Sequence, residues 1–114
     1  MHELSLIAGL FPILEEKAGE QDAKSVTFVR LRVGRLSGVV PELLETAFDA
    51  YKKGTFAEKA SLEVILVPLK VRCRACGIIM ELEEPVFACT GCDGNDLEIL
   101  EGRDIFLDRL EIEV

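Results

Sequence analysis

Four cysteines constrain this chain more than any other feature: Cys73, Cys76, Cys89 and Cys92, in the pattern C-x2-C-x12-C-x2-C, and it has no others. Two residues between partners let both sulfurs of one turn face the same ion. Two such turns complete a tetrahedron, the closed geometry of structural zinc. Gly77 follows the first pair where the turn asks for an unusual backbone angle, and Gly91 with Gly94 stands ready to supply one in the second. The stretch between the pairs, with Ile78, Ile79, Leu82, Val86 and Phe87, is long enough for a short hairpin. A segment of about 30 residues cannot stabilise itself by burial alone, so the metal must contribute folding energy. The pattern reads as a zinc ribbon whose four-thiolate shell leaves no open position for chemistry. Iron held by the same thiolates and a redox dithiol pair are the other readings.

The remaining sequence predicts the body that carries this ribbon. Leu4, Ile7, Ala8, Phe11, Leu14 and Ala18 recur at helical spacing, with Glu15, Glu16 and Lys17 on the far side. This predicts an amphipathic helix over 4–18, bent at Pro12 and stopped by Gly19. Residues 25–34 are β-branched and alternating, with Thr27, Val29, Leu31 and Val33 on one face and Arg30 and Arg32 on the other. A loop follows over 34–38. Pro41 suits the first position of a second helix, whose stripe of Leu44, Ala47, Phe48 and Tyr51 reads as core and which ends at Gly54. Residues 62–69 read as a second strand. A third runs over 105–114, with Leu107 or Phe106, Leu110 and Ile112 turned to the core. Two helices packed on a three-stranded sheet make a two-layer α+β domain. It would comprise residues 1–69 and 103–114, with the zinc ribbon inserted at 70–102.

Charge narrows the partners. Thirteen basic against twenty-one acidic residues give a net charge of −8, and four thiolates around one divalent ion would bring it to about −10. No cluster of lysine or arginine interrupts this, so nucleic acid is an unsuitable partner and cations are attracted. No stretch approaches the ~18 consecutive apolar residues of a membrane span, and the N-terminus lacks the basic and apolar regions of a signal peptide. These features suit a reducing cytoplasm, where paired cysteines hold metal rather than form disulfides.

The second metal cue is the terminus itself, Met1-His2-Glu3, which contains the only histidine. The α-amine of Met1, the backbone nitrogen of residue 2 and the His2 imidazole can close two fused chelate rings around one ion. Such tetragonal, nitrogen-rich coordination suits nickel(II) or copper(II) and not zinc, magnesium or calcium. Glu3 can offer its carboxylate or backbone nitrogen to the remaining corner. The bland alternative is a frayed, solvated terminus with Glu3 complementing a helix dipole.

These features together resemble one family. Met1-His2-Glu3-Leu4-Ser5, then Val33-Gly34-Arg35-Leu36-Ser37-Gly38-Val39-Val40-Pro41-Glu42-Leu43, Ala47-Phe48, Thr55, Ala60-Ser61-Leu62-Glu63-Val64 and both cysteine pairs are similar to the HypA family of hydrogenase-maturation nickel chaperones. The resemblance covers essentially the whole chain. It implies a nickel-binding α+β domain with an inserted zinc domain, and nickel delivery, with the GTPase HypB, to the large subunit of [NiFe] hydrogenase. Urease maturation is sometimes a second client in that family. Carried over by motif, the nickel ligands fall on Met1, His2 and Glu3, and the zinc ligands on Cys73, Cys76, Cys89 and Cys92.

Two departures stand out. Thr90 occupies a knuckle position where the family more often has proline. A second histidine, which some members recruit to nickel, is missing, so a fourth ligand must come from Glu3, another carboxylate, water or a partner. The rival function is a zinc-ribbon interaction adaptor without metal transfer. No nucleophile–base pair or glycine-rich phosphate loop speaks for an enzyme.

Overall fold

The computed structural model describes residues 3–82 and 88–114. In chain order they form α1 (Glu3–Glu20), β1 (Ser25–Gly34), a short 3-10 turn (Arg35–Ser37), α2 (Pro41–Tyr51), β2 (Ser61–Val67), β3 (Leu69–Cys73), β4 (Ile79–Leu82), β5 (Leu97–Glu101) and β6 (Ile105–Glu113). Two three-stranded sheets result, ordered β2-β1-β6 and β4-β3-β5. In the first, β1 and β2 run parallel because α2 carries the chain back between them, and β6 joins β1 antiparallel. The second sheet is antiparallel throughout and carries the cysteines. No helix among the described residues is long and apolar enough to cross a membrane.

The amphipathic spacing of α1 buries Ile7, Leu10, Phe11, Leu14 and Ala18. Pro12 lies on its exposed side, and the helix runs unbroken past it and past Gly19. The stop comes three residues later than that glycine, at Asp22, whose φ of 53° is left-handed. The Ala23 N–H bonds the Ala18 carbonyl at 2.9 Å and the Asp22 N–H bonds that of Gly19 at 3.1 Å. This is a Schellman cap with aspartate, one of the few non-glycine residues that tolerates the angle.

In α2, Pro41 occupies the first turn and Leu44 and Phe48 are buried. The helix ends at Tyr51, ahead of Gly54, whose φ is 75°. Phe11 joins the helices, its ring centroid 5.9 Å from that of Phe48, 4.7 Å from Tyr51 and 5.8 Å from Phe56. Each such tilted pair adds about 0.5–1.5 kcal/mol beyond its burial.

The sheet side of the core consists of Val26, Val29, Leu31 and Val33. Thr27 departs from the simple alternation: a bulge between Val26 and Phe28 breaks the pairing with β6, and the Thr27 hydroxyl donates to the Glu111 carbonyl at 3.2 Å. A second bulge lets Leu107 rather than Phe106 face the core, leaving Phe106 57% exposed.

Residues 62–69 do not form one strand. Pro68 has no N–H to donate, and the ladder breaks there, β2 staying in the first sheet while β3 begins the second. The chain returns at Gly102, beside the point where it left. The Gly34 N–H bonds the Asp104 carbonyl at 2.9 Å, and the Leu36 N–H bonds that of Gly102 at 2.8 Å. A side chain on Gly34 would run into the Gly102 carbonyl, and one on Gly102 would meet Leu69 Cα at 2.6 Å and the Pro68 oxygen at 2.7 Å. Three backbone segments are thus in contact where the two sheets meet.

Candidate metal centre

β3 delivers Cys73 to the end of the second sheet, and the chain turns back at once. The Gly77 N–H bonds the Cys73 carbonyl at 2.8 Å, and the Cys73 N–H bonds that of Ile78 at 2.8 Å. Gly77 takes a φ of 81°, the unusual angle the sequence suggests. The second knuckle is closed by Cys89 N–H to the Gly94 carbonyl at 2.8 Å and Asp93 N–H to that of Cys89 at 2.9 Å. These bonds form with Thr90 in place of a proline.

The left-handed residue in this second turn is Asp93, with φ 59°, and neither Gly91 nor Gly94 has a positive φ. These two glycines supply room instead. A Cβ on Gly91 would stand 2.5 Å from the Ile78 Cδ1, and one on Gly94 would stand 3.2 Å from the Cys92 sulfur.

The four sulfurs converge, all within 4.8 Å of one another. Cys73 and Cys92 are 3.6 Å apart, and Cys76 and Cys89 are 3.5 Å apart. A zinc–sulfur bond of about 2.3 Å implies edges of roughly 3.8 Å in a regular tetrahedron, so this donor set fits a structural zinc site. Cys73 and Cys89 are buried, whereas Cys76 and Cys92 are exposed, and all four are free thiols. The Gly91 N–H points at the Cys89 sulfur at 3.3 Å.

The thiols are not alike. The Cys76 backbone N–H, helped by that of Ala75, draws Cys73 from its ordinary 9.0 down to about 7 against the opposing effect of burial. At Cys92 the Gly94 N–H also pulls downward, but the thiols of Cys73 and Cys89, with burial, outweigh it and push the group up to about 12. Cys76 is likewise raised, because neighbouring thiols and burial overcome the Ile78 N–H. Sulfurs this close cannot all ionise unless a cation sits among them.

Sequence spacing does not show what steadies the first knuckle. The Arg74 N–H bonds the Asp96 carbonyl at 3.0 Å and its guanidinium meets the Asp96 carboxylate at 2.8 Å. Asp96 lies far along the chain with no motif to announce it.

Of the proposed nickel ligands, Glu3 opens α1 and is half-buried, whereas Met1 and His2 lie outside the described residues, as do Val86 and Phe87 of the ribbon.

A family profile described as "Hydrogenase/urease nickel incorporation, metallochaperone, hypA" matches residues 1–112. The hydrogenase maturation factor HypA of Aquifex aeolicus is 46% identical over 114 residues, spanning 100% of this chain and 99% of its own. That of Desulfitobacterium hafniense is 35% identical over 113 residues, 99% of each. The solution structure of the Ni metallochaperone HypA from Helicobacter pylori aligns with a TM-score of 0.72 over 99% of this chain and 98% of that one. At 23% identity that likeness speaks for the fold alone.

Proposed function

The chain belongs to the HypA family of hydrogenase/urease nickel-incorporation metallochaperones, and on that footing we propose that its N-terminus carries the nickel and its ribbon carries zinc. It is a metallochaperone for hydrogenase maturation and not an enzyme. The Met1 amine, the residue 2 nitrogen and the His2 imidazole hold Ni(II), with Glu3 offering a fourth donor. Cys73, Cys76, Cys89 and Cys92 hold Zn(II). The observation that carries this reading is the family match from residue 1 to residue 112, which takes in both motifs.

Residues 1–69 with 103–114 form the nickel-binding domain and 70–102 the zinc domain in this reading. In this reading Glu3 offers its donor from the first turn of α1. Bound zinc supplies folding energy to the ribbon. The cysteines orient it from two knuckles, and Arg74 with Asp96 keeps the first knuckle against β5. A chelate at a chain end holds nickel moderately and releases it by ligand exchange, where a buried cage would retain it. Delivery then runs in the cytoplasm, with a HypB-type GTPase, to the [NiFe] hydrogenase large subunit, and in some settings to urease maturation proteins.

His2→Ala should abolish specific nickel binding in calorimetry on untagged protein while zinc content and helicity stay unchanged. Full nickel affinity in that variant would refute the assignment. An added N-terminal tag should weaken binding nearly as much, and an unaltered affinity would remove the α-amine from the ligand set.

A further inference from the structure

Arg30 and Arg32 leave β1 on the face turned away from the helices, and only one of them is answered. Arg30 meets Glu63 of β2 at 2.9 Å and Asp108 of β6 at 3.7 Å. Arg32 stands two residues on, half-buried, with Ile65 and Phe106 as its cross-strand neighbours. Among the described residues no carboxylate pairs with it, and no acceptor takes a hydrogen bond from its guanidinium. A cation partly withdrawn from water normally has a partner, because desolvation without one is costly.

Arg32 lines a cleft of about 450 Å³ where the two sheets meet. Val67, Ile99 and Phe106 give the cleft apolar walls, and the Phe106 ring is 57% exposed. Arg103 brings a second guanidinium that has no ion pair among the described residues. Glu101 and Asp104 also line the cleft, so its formal charges cancel.

We propose that this cleft binds a carboxylate attached to an apolar group, Arg32 taking the carboxylate and Val67, Ile99 and Phe106 taking the apolar part. The guanidinium fork matches a carboxylate with two parallel N–H···O bonds. An aromatic ring and branched side chains beside it favour a leucine-like group over a polar one. Glu101 and Asp104 set the charge, since they repel a polyanion such as phosphate and tolerate a monoanion. The α-carboxylate of an apolar residue has this chemistry, whether it ends a peptide or belongs to a free amino acid. In the free amino acid the ammonium adds a contact for Glu101 or Asp104. The chain's own terminus does not serve. Val114 follows Glu113, which pairs with Ser25 at the far end of β1, whereas the cleft lies beyond Arg32 at the near end. This inference does not rest on the nickel reading.

The test is a titration of the full, zinc-loaded chain with N-acetyl-leucine, followed by backbone amide chemical shifts. Saturable shifts should gather at Val67, Gly102 and Phe106. N-acetyl-leucinamide lacks the charge and acetate lacks the apolar group, so each should bind roughly tenfold more weakly or worse. Inorganic phosphate should not compete. Arg32→Gln should lose roughly tenfold in affinity, whereas Arg109→Gln, outside the cleft, should leave it unchanged. Tighter binding of an acetylated tripeptide ending in leucine supports the site and makes its ligand a chain terminus. Tighter binding of free leucine supports it and makes the ligand an amino acid. Arg32→Met supplies a second measurement: without ligand it should hold or raise the urea midpoint, since an unanswered charge is gone. The absence of saturable shifts, equal binding of the amide or of phosphate, or an Arg32→Gln variant that binds like the parent overturns the proposal. A lowered midpoint in Arg32→Met overturns it too, because the guanidinium is then answered within the chain.

Discussion

Substituting alanine for Gly102 tests how the two sheets are joined. Gly102 has a φ of 98°, and the new Cβ would lie 2.6 Å from Leu69 Cα and 2.7 Å from the Pro68 oxygen. Carbon atoms ordinarily rest at about 3.5–4.0 Å, so the β2–β3 crossing must move by roughly 1 Å. Both opposing atoms are backbone and cannot simply rotate aside. A left-handed angle costs an L-residue about 1–2 kcal/mol, and forcing atoms into a packed site adds about 1–3 kcal/mol. The expected loss is therefore roughly 2–5 kcal/mol, a large part of the about 5–15 kcal/mol that holds a typical domain.

Gly54→Ala provides the comparison. Gly54 has a φ of 75° but open space around its Cβ position, so only the conformational cost applies. Urea titrations of the zinc-loaded proteins, followed by far-ultraviolet circular dichroism, give both values. If Gly102→Ala loses no more than Gly54→Ala, the close approach of three backbones contributes nothing and the reasoning fails.

Phe48, fully buried where α2 meets Phe11, should cost about 3–5 kcal/mol when cut to alanine, and a loss below about 1 kcal/mol in the same titration would mean that the pocket refills. Zinc binding should strengthen with pH, because the ion displaces protons from its thiols. Since Cys73 sits at about 7, below its ordinary 9.0, its thiolate forms unaided above that point, and the number of protons released on binding should fall by about one as pH rises through about 7. Chelator competition between mildly acidic and mildly alkaline pH reads this as a change of slope, and a constant slope would contradict the lowered Cys73. In the metal-free chain the same lowered value favours the folded form above about 9, and that contribution fades as pH falls through about 7.

Much of this architecture can be read from the chain because local chemistry dictates it. The cysteine spacing foretells a converging cluster, since two short knuckles have few ways to face one another. The 3.6-residue recurrence of Ile7, Phe11, Leu14 and Ala18 foretells α1, and Pro41 foretells the start of α2. What stays hidden is set by partners remote in sequence. The bulges beside Thr27 and Asp108 arise from strand pairing across the sheet, and alternation within one strand cannot reveal them. Gly19 and Asp22 both allow a helix to end, and tertiary packing of Ala23 against the core accompanies the later choice. Pro68 did carry a signal, because a residue without an N–H is a poor interior member of a strand. At the cluster, the space that glycine leaves at 91 is taken up by the tip of the Ile78 side chain, a neighbour that the cysteine spacing does not reveal.

The outgoing chain at Pro68 and the returning chain at Gly102 touch, and portability follows from that. A segment whose two ends are neighbours can be lifted out and its host closed by a very short bridge, or set into a foreign loop of similar width, without stretching either body. The cysteine-bearing hairpin sheet thus has the layout of a cassette.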